Sequence, residues 1–306
     1  MRVFVAGGSG AIGRRMVPQL VARGHQVTAT TTDPDKRAML EQLGATAVTM
    51  DGLDAAQVGE AVAAAEPDAV VHQMTSIGAI DMKHLDRAFA QTNRLRTEGL
   101  DHLLAAVRAS GVPHVVAQSY GAWNGIRKGG WVKTESDGLD PMAGTAAEPV
   151  MAAVSRLERL VVDAGGAALR YGWLYGPGST EILAEPVRKR QFPVVGGGAG
   201  RTSWVHLDDA ASATVLAIEQ RAQGVFNIVD DEPAPVSDWL PHLASLAGGK
   251  PPLRMPAWLA RPFAGSAGVL MMTEGRAYSN AKAKQQLGWQ PQHPSWREGF
   301  AQDLAA

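Results

Sequence analysis

The sequence predicts an α/β fold of the doubly wound type, with one parallel sheet covered by helices on both faces and a smaller, irregular C-terminal domain. Short apolar runs alternate with longer helix-like runs over roughly the first 175 residues, which is the pattern that crossover connections impose on a parallel sheet. Gly24, Gly44, Gly111 and Gly165 stand just past four of the helix-like runs, where a left-handed residue ends a helix cheaply. The first apolar run leads straight into a glycine-rich turn, "VFVAGGSGAIGRRM".

Taken in order, the expected strands are residues 2–6, 26–30, 46–50, 69–73, 114–118 and 167–171. Between them the apolar spacing predicts helices over 12–23, 34–43, 55–65, a long 86–110, and 149–164. After Gly176 the alternation fails, and Pro and Gly become frequent in "FPVVGGGAG", "GGKPPLRMPAWLARP" and "GWQPQHP". Within that region "SWVHLDDAASATVLAIEQ" and "GVFNIVDD" read as a helix and strand returning to the first sheet. Residues 1–176, rejoined by 204–230, therefore form the expected dinucleotide-binding domain, and 177–306 mainly a substrate-binding domain. There is no internal repeat.

Composition narrows the function classes. The 306 residues are 45% hydrophobic, enough for a large core, and 29 Lys plus Arg balance 30 Asp plus Glu with no basic tract, so nucleic acid is not an expected partner. Without cysteine there is no disulfide, thiolate catalysis or Cys-ligated zinc, and no metal site is expected. The N-terminal run is broken too early to be a signal peptide, and the apolar stretch 255–272 is interrupted by Pro256, Arg261 and Pro262. The expectation is a soluble cytoplasmic protein with a small-molecule substrate and no membrane contact.

Gly7, Gly10 and Gly13 lie after an apolar strand and at the start of a helix, where free N–H groups and the helix dipole favour a pyrophosphate. The alternative is a turn whose glycines serve packing alone. With "PDAVVHQMTS", "GVPHVVAQSYGAW", "ALRYGWLYGPGS" and "LGWQP" following in order, the chain resembles the extended, epimerase/dehydratase-like branch of the short-chain dehydrogenase/reductases along nearly its whole length. The resemblance implies a Rossmann-type sheet and an NAD(P) cofactor. That cofactor would run along Gly7, Gly10, Ala11, Ile12 and Gly13, past Thr32, Asp51 and Gly52, to Gln73, Met74 and Thr75, and then to Tyr171 and Trp173. The second strand ends in Thr31 and Thr32 rather than in an acid for the ribose hydroxyls, and Lys36 and Arg37 follow within reach of a 2′-phosphate. NADP is therefore expected, with NAD left open because Asp33 is also near. Asp51 fits a turn equally well.

The same resemblance implies a Tyr and a Lys one helical turn apart as proton donor and partner, yet the matching positions hold Val150 and Val154. One Tyr-x-x-x-Lys exists, Tyr278 to Lys282, but Asn280 reads as the cap of a following helix, which leaves Tyr278 outside it. Substitute hydroxyls are few. Ser119 matches the branch's catalytic serine, or else satisfies backbone at a strand end; Tyr120 follows it, and Tyr171 is expected beside the nicotinamide. Trp123, Trp131 and Trp173 are candidates for an apolar pocket, and His206 reads as structural. The expected function is an atypical NAD(P)-dependent oxidoreductase reducing a carbonyl or enone of a bulky substrate. A nucleotide-binding sensor, and an isomerase, lyase or cyclase using the nucleotide as scaffold or transient oxidant, remain open. Helices 86–110 and 149–164 resemble those that pair in homodimers of similar enzymes.

Overall fold

Val3, Phe4, Val5 and Ala6 are all buried, because the strand they form, β1 (Arg2–Ala6), lies inside a sheet covered on both faces. The computed structural model describes residues 1–78 and 81–305. Seven parallel strands make up the main sheet: β1, β2 (Gln26–Thr31), β3 (Thr46–Thr49), β4 (Ala69–His72), β5 (Val115–Tyr120), β6 (Ala167–Tyr171) and β7 (Gly224–Ile228). Their spatial order is β7-β6-β5-β4-β1-β2-β3. The order reverses between β1 and β4, which opens a crevice at the carboxyl ends of those strands.

Alternation along the strands divides the core between the two faces. Val3, Val5, Val71 and Val116 pack toward α1 (Gly13–Ala22). Phe4, Ala6, Val70 and Ala117 pack toward α3 (Ala55–Ala65) and two later helices. Before α3, α2 (Arg37–Gln42) is preceded by a 3₁₀ turn over Pro34–Lys36, where the Asp33 carboxylate accepts from Asp35 N–H at 3.1 Å.

The long helix expected over 86–110 is broken. α4 (Leu85–Ala88) meets α5 (Ala90–Arg94) at Phe89, whose backbone leaves helical geometry, and a π-helical turn over Leu95–Gly99 separates α5 from α6 (Leu100–Ala109). α7 (Glu148–Asp163) matches its expected span within a residue and packs along β5 and β6. The remaining helices are α8 (Thr180–Arg188), α9 (Leu207–Glu219), α10 (Val236–Leu246), α11 (Ala257–Glu274), α12 (Ala281–Leu287) and α13 (Trp296–Ala305). α9 packs against α1, and β7 pairs with β6. Trp204, Trp239, Trp296 and Phe300 are fully buried in a separate cluster that anchors α8, α10, α11 and α13. Among the described residues no helix is long and apolar enough to cross a membrane.

Candidate active site

The glycine turn combines packing with an open approach. Gly7 has φ +90°, and a Cβ on it would lie 2.7 Å from the Gln73 carbonyl oxygen, so β1 and β4 converge only if this residue is glycine. A Cβ at Gly13 would overlap the Gly8 backbone, which lets α1 sit directly on the turn. Gly10 differs, because a Cβ there would meet nothing within 4 Å except the Gly7 carbonyl oxygen at 3.3 Å. Among the described residues the N–H groups of Ala11 and Ile12 find no acceptor, and α1 has neither a side-chain cap nor an acidic residue in its first turn. Such an end presents free donors and a positive dipole to an anion. Close by, the Gln73 amide donates to the Tyr171 hydroxyl at 2.9 Å, and its buried Oε1 has no partner. These residues fit a dinucleotide.

At the carboxyl end of β2, Thr31 Oγ1 accepts from the Ser9 hydroxyl at 3.0 Å and from Asp33 N–H at 3.2 Å, and Thr32 is exposed. Lys36 lies 3.5 Å from the Asp33 carboxylate and Arg37 3.9 Å from that of Glu41, both pairs being exposed. Asp51 accepts from Leu53 N–H at 2.9 Å, forming its own turn, and a Cβ at Gly52 would overlap the Met74 sulfur. Met74 is buried and Thr75 exposed just past β4.

Beyond Gln73 a cavity of about 230 Å³ opens between the carboxyl ends of β5 and β6, helices α4 and α7, and the π turn. Phe89, Tyr120, Trp123, Val150, Met151 and Trp173 give it an apolar, largely aromatic wall. Trp131 is not part of it, lying outside under the Arg276 guanidinium at 3.9 Å.

The three candidate hydroxyls are placed differently. β5 extends to Tyr120, with Ser119 beside Arg170 and Tyr120 beside Tyr171 in the register with β6, so Ser119 and Tyr120 point to opposite faces. Ser119 donates to Glu158 at 2.6 Å, and Glu158 also holds Arg170 through two bonds of 2.8 Å, all three residues being buried. The Tyr171 hydroxyl lies 2.6 Å from that of Thr214 on α9 and also accepts from Gln73; burial pushes its pKa up to about 12. Tyr120 lines the cavity, as Ser119 and Tyr171 also do. Burial raises its phenol well above the ordinary range, against smaller pulls from the Trp123 side chain and the Arg96 charge.

Val150 stands in the cavity wall, and Val154 is fully buried one turn later. Tyr278 and Lys282 are not brought together. Tyr278 lies in a short strand beside Lys133, whereas the Lys282 ammonium donates to the Val225 carbonyl at 2.7 Å. Asn280 precedes α12 without capping it, since its amide serves the Val229 carbonyl and the Asp231 carboxylate.

Arg96 was missed by the sequence reading. It shares the buried stripe Thr92, Leu100, Leu103 and Val107 at helical spacing, so a cation inside an apolar stripe was the available signal.

His206 is structural. Its Nδ1 accepts from Asp208 N–H at the start of α9, its ring stacks on His293 at 3.7 Å, and burial, aided by His293, lowers its pKa to about 4. The unfolded chain takes up this proton near pH 6.5, so the site's stabilisation is intact above that pH and fades as pH falls toward about 4. Urea unfolding at pH 7.5 and 4.5 should therefore show a shallower acid loss for His206→Gln than for the wild type, and equal losses would refute the assignment.

Fold and site together define an NAD(P)-dependent oxidoreductase. The family described as the NAD dependent epimerase/dehydratase family matches residues 3–229, and the chain belongs to it. It is 43% identical over 99% of its length, and all of the other's, to the 3-diazoavenalumate denitrifying reductase of a Streptomyces species. It is 28% identical to the 2-alkyl-3-oxoalkanoate reductase of Stenotrophomonas maltophilia, covering 81% of this chain and 76% of that one. Among solved structures, the Thermus thermophilus UDP-glucose 4-epimerase complexed with NAD superposes with a TM-score of 0.77 at 26% identity, over 100% of this chain and 98% of the other. The cofactor is accordingly a nicotinamide dinucleotide, and the sensor reading is set aside.

Proposed function

We propose that this reductase acts on a diazonium substrate, replacing its N₂ group by hydrogen without a proton donor from the protein. One observation carries the reading: where the family resemblance implies a tyrosine, the cavity wall presents Val150, while the Ser119 hydroxyl is committed to Glu158 and the Tyr171 hydroxyl to Gln73 and Thr214. A reduced nicotinamide supplies one hydride, and R–N₂⁺ + NAD(P)H → R–H + N₂ + NAD(P)⁺ balances through R–N=N–H, in which the new N–H hydrogen moves to carbon as the C–N bond breaks. A ketone, in contrast, leaves an alkoxide that must be protonated. The aromatic wall holds a flat acceptor, and Tyr120, kept protonated by burial, orients it by a hydrogen bond. The 43% identical relative, whose name describes reductive loss of nitrogen from a diazo compound, supports the same reading.

NADP is the proposed form of the cofactor. The exposed pairs of Lys36 with Asp33 and Arg37 with Glu41 are each worth at most about 1 kcal/mol and yield readily to a 2′-phosphate.

Carbonyl reduction with Tyr120 as donor is the second reading, favoured by the phenol lining the cavity and by the oxoalkanoate reductase relative. Following absorbance at 340 nm and N₂ by mass spectrometry, with an arene diazonium carboxylate and a matched aryl ketone, separates the two. The first reading expects one N₂ per NADPH and a Tyr120→Phe turnover within about tenfold of wild type. The second expects ketone turnover that this variant lowers by about 10²–10⁴-fold. NADPH consumption with the ketone alone would overturn the first.

A further inference from the structure

Two arginines are buried near this site, and the fold treats them differently. Arg170 is paired through two hydrogen bonds with Glu158. Arg96, 4% exposed on the π-helical turn, has no ion pair among the described residues, and its Nε and Nη1 have no hydrogen-bond partner. No described residue lining the cavity is acidic, and the Phe89 ring lies 6.0 Å from the guanidinium. A guanidinium withdrawn from water without a counter-ion is unfavourable. Burial lowers its pKa only to about 10, so it stays charged at neutral pH.

We propose that Arg96 binds the carboxylate of the substrate, and that the cavity accepts a planar, conjugated carboxylate with its acid group on Arg96 and its flat body between Phe89, Trp123 and Trp173. This deepens the reading of the site as a reductase pocket and rests on it. A carboxylate matches the guanidinium fork with two parallel N–H···O bonds and supplies the missing charge. The π turn is itself a local departure of the kind that recurs where a helix must redirect a functional side chain.

The test needs no turnover, so its failure is separate from that of the diazo assignment. Titrating the NADP⁺-bound protein with 4-hydroxycinnamate and with its methyl ester, read by tryptophan fluorescence, should show the acid binding at least about tenfold more tightly. Arg96→Met should erase that preference, leave NADPH affinity within about twofold, and raise the thermal midpoint, because an unpaired buried charge is removed. Arg96→Lys should keep part of the preference. No binding of the acid by wild type, equal binding of acid and ester, or a preference that survives in Arg96→Met would overturn the proposal. So would a loss of NADPH affinity in Arg96→Met with the preference retained, since Arg96 would then serve the cofactor.

Discussion

Glu158→Gln should lower the free energy of unfolding by roughly 3 kcal/mol or more, the lower end of the range for removing one partner of a buried ion pair. Glu158 and Arg170 are 6% and 5% exposed, and the Arg170 Nη1 already lacks a partner, so the neutral amide would leave a guanidinium without a counter-charge. The Ser119 hydroxyl would at the same time lose a charged acceptor at 2.6 Å for a neutral one. Urea unfolding at pH 7 measures the loss, and the double variant Glu158→Leu with Arg170→Met is the control. If the cost comes from the orphaned charge, removing both charges should restore most of the stability. A Glu158→Gln penalty below about 1 kcal/mol would mean that water reaches the pair, because exposed pairs are worth that little.

That triad also shows what the sequence could and could not convey. Local periodicity made the strands legible, and the glycine turn was legible because its three glycines fall directly after an apolar strand and at the start of a helix. The side to which Ser119 points was not, since that depends on where β5 ends and on its register with β6, and a strand continuing to residue 120 turns Ser119 toward α7 and Glu158. The partners lie 39 and 51 residues further along the chain, beyond any local pattern. Tyr171 illustrates the same limit. It falls at the strand end where it was expected, but its hydroxyl is taken up by Gln73 and by Thr214 on α9. The long helix over 86–110 failed for another reason. Its apolar stripe is continuous, so periodicity cannot show the break at Phe89 or the extra residue of the π turn, on which Arg96, a residue of the cavity wall, lies.

Gly10→Leu should leave the fold intact while weakening nicotinamide dinucleotide binding by about a hundredfold or more, equivalent to roughly 2.7 kcal/mol. A Cβ at this position meets only the Gly7 carbonyl oxygen at 3.3 Å, so a shift of a few tenths of an ångström accommodates it. The rest of the side chain then fills the space in front of the free Ala11 and Ile12 N–H groups, where a pyrophosphate would sit. Gly7→Ala is the contrasting variant. With φ +90° and the Gln73 carbonyl oxygen 2.7 Å from the new Cβ, its cost falls on the fold, as a lowered thermal midpoint whether or not cofactor is present. Thermal unfolding and NADPH fluorescence titration, run on both variants, separate a glycine kept for ligand approach from one kept for packing. Should Gly10→Leu bind NADPH as wild type does, the turn would be a packing device, and the dinucleotide would have to be held elsewhere along the crevice.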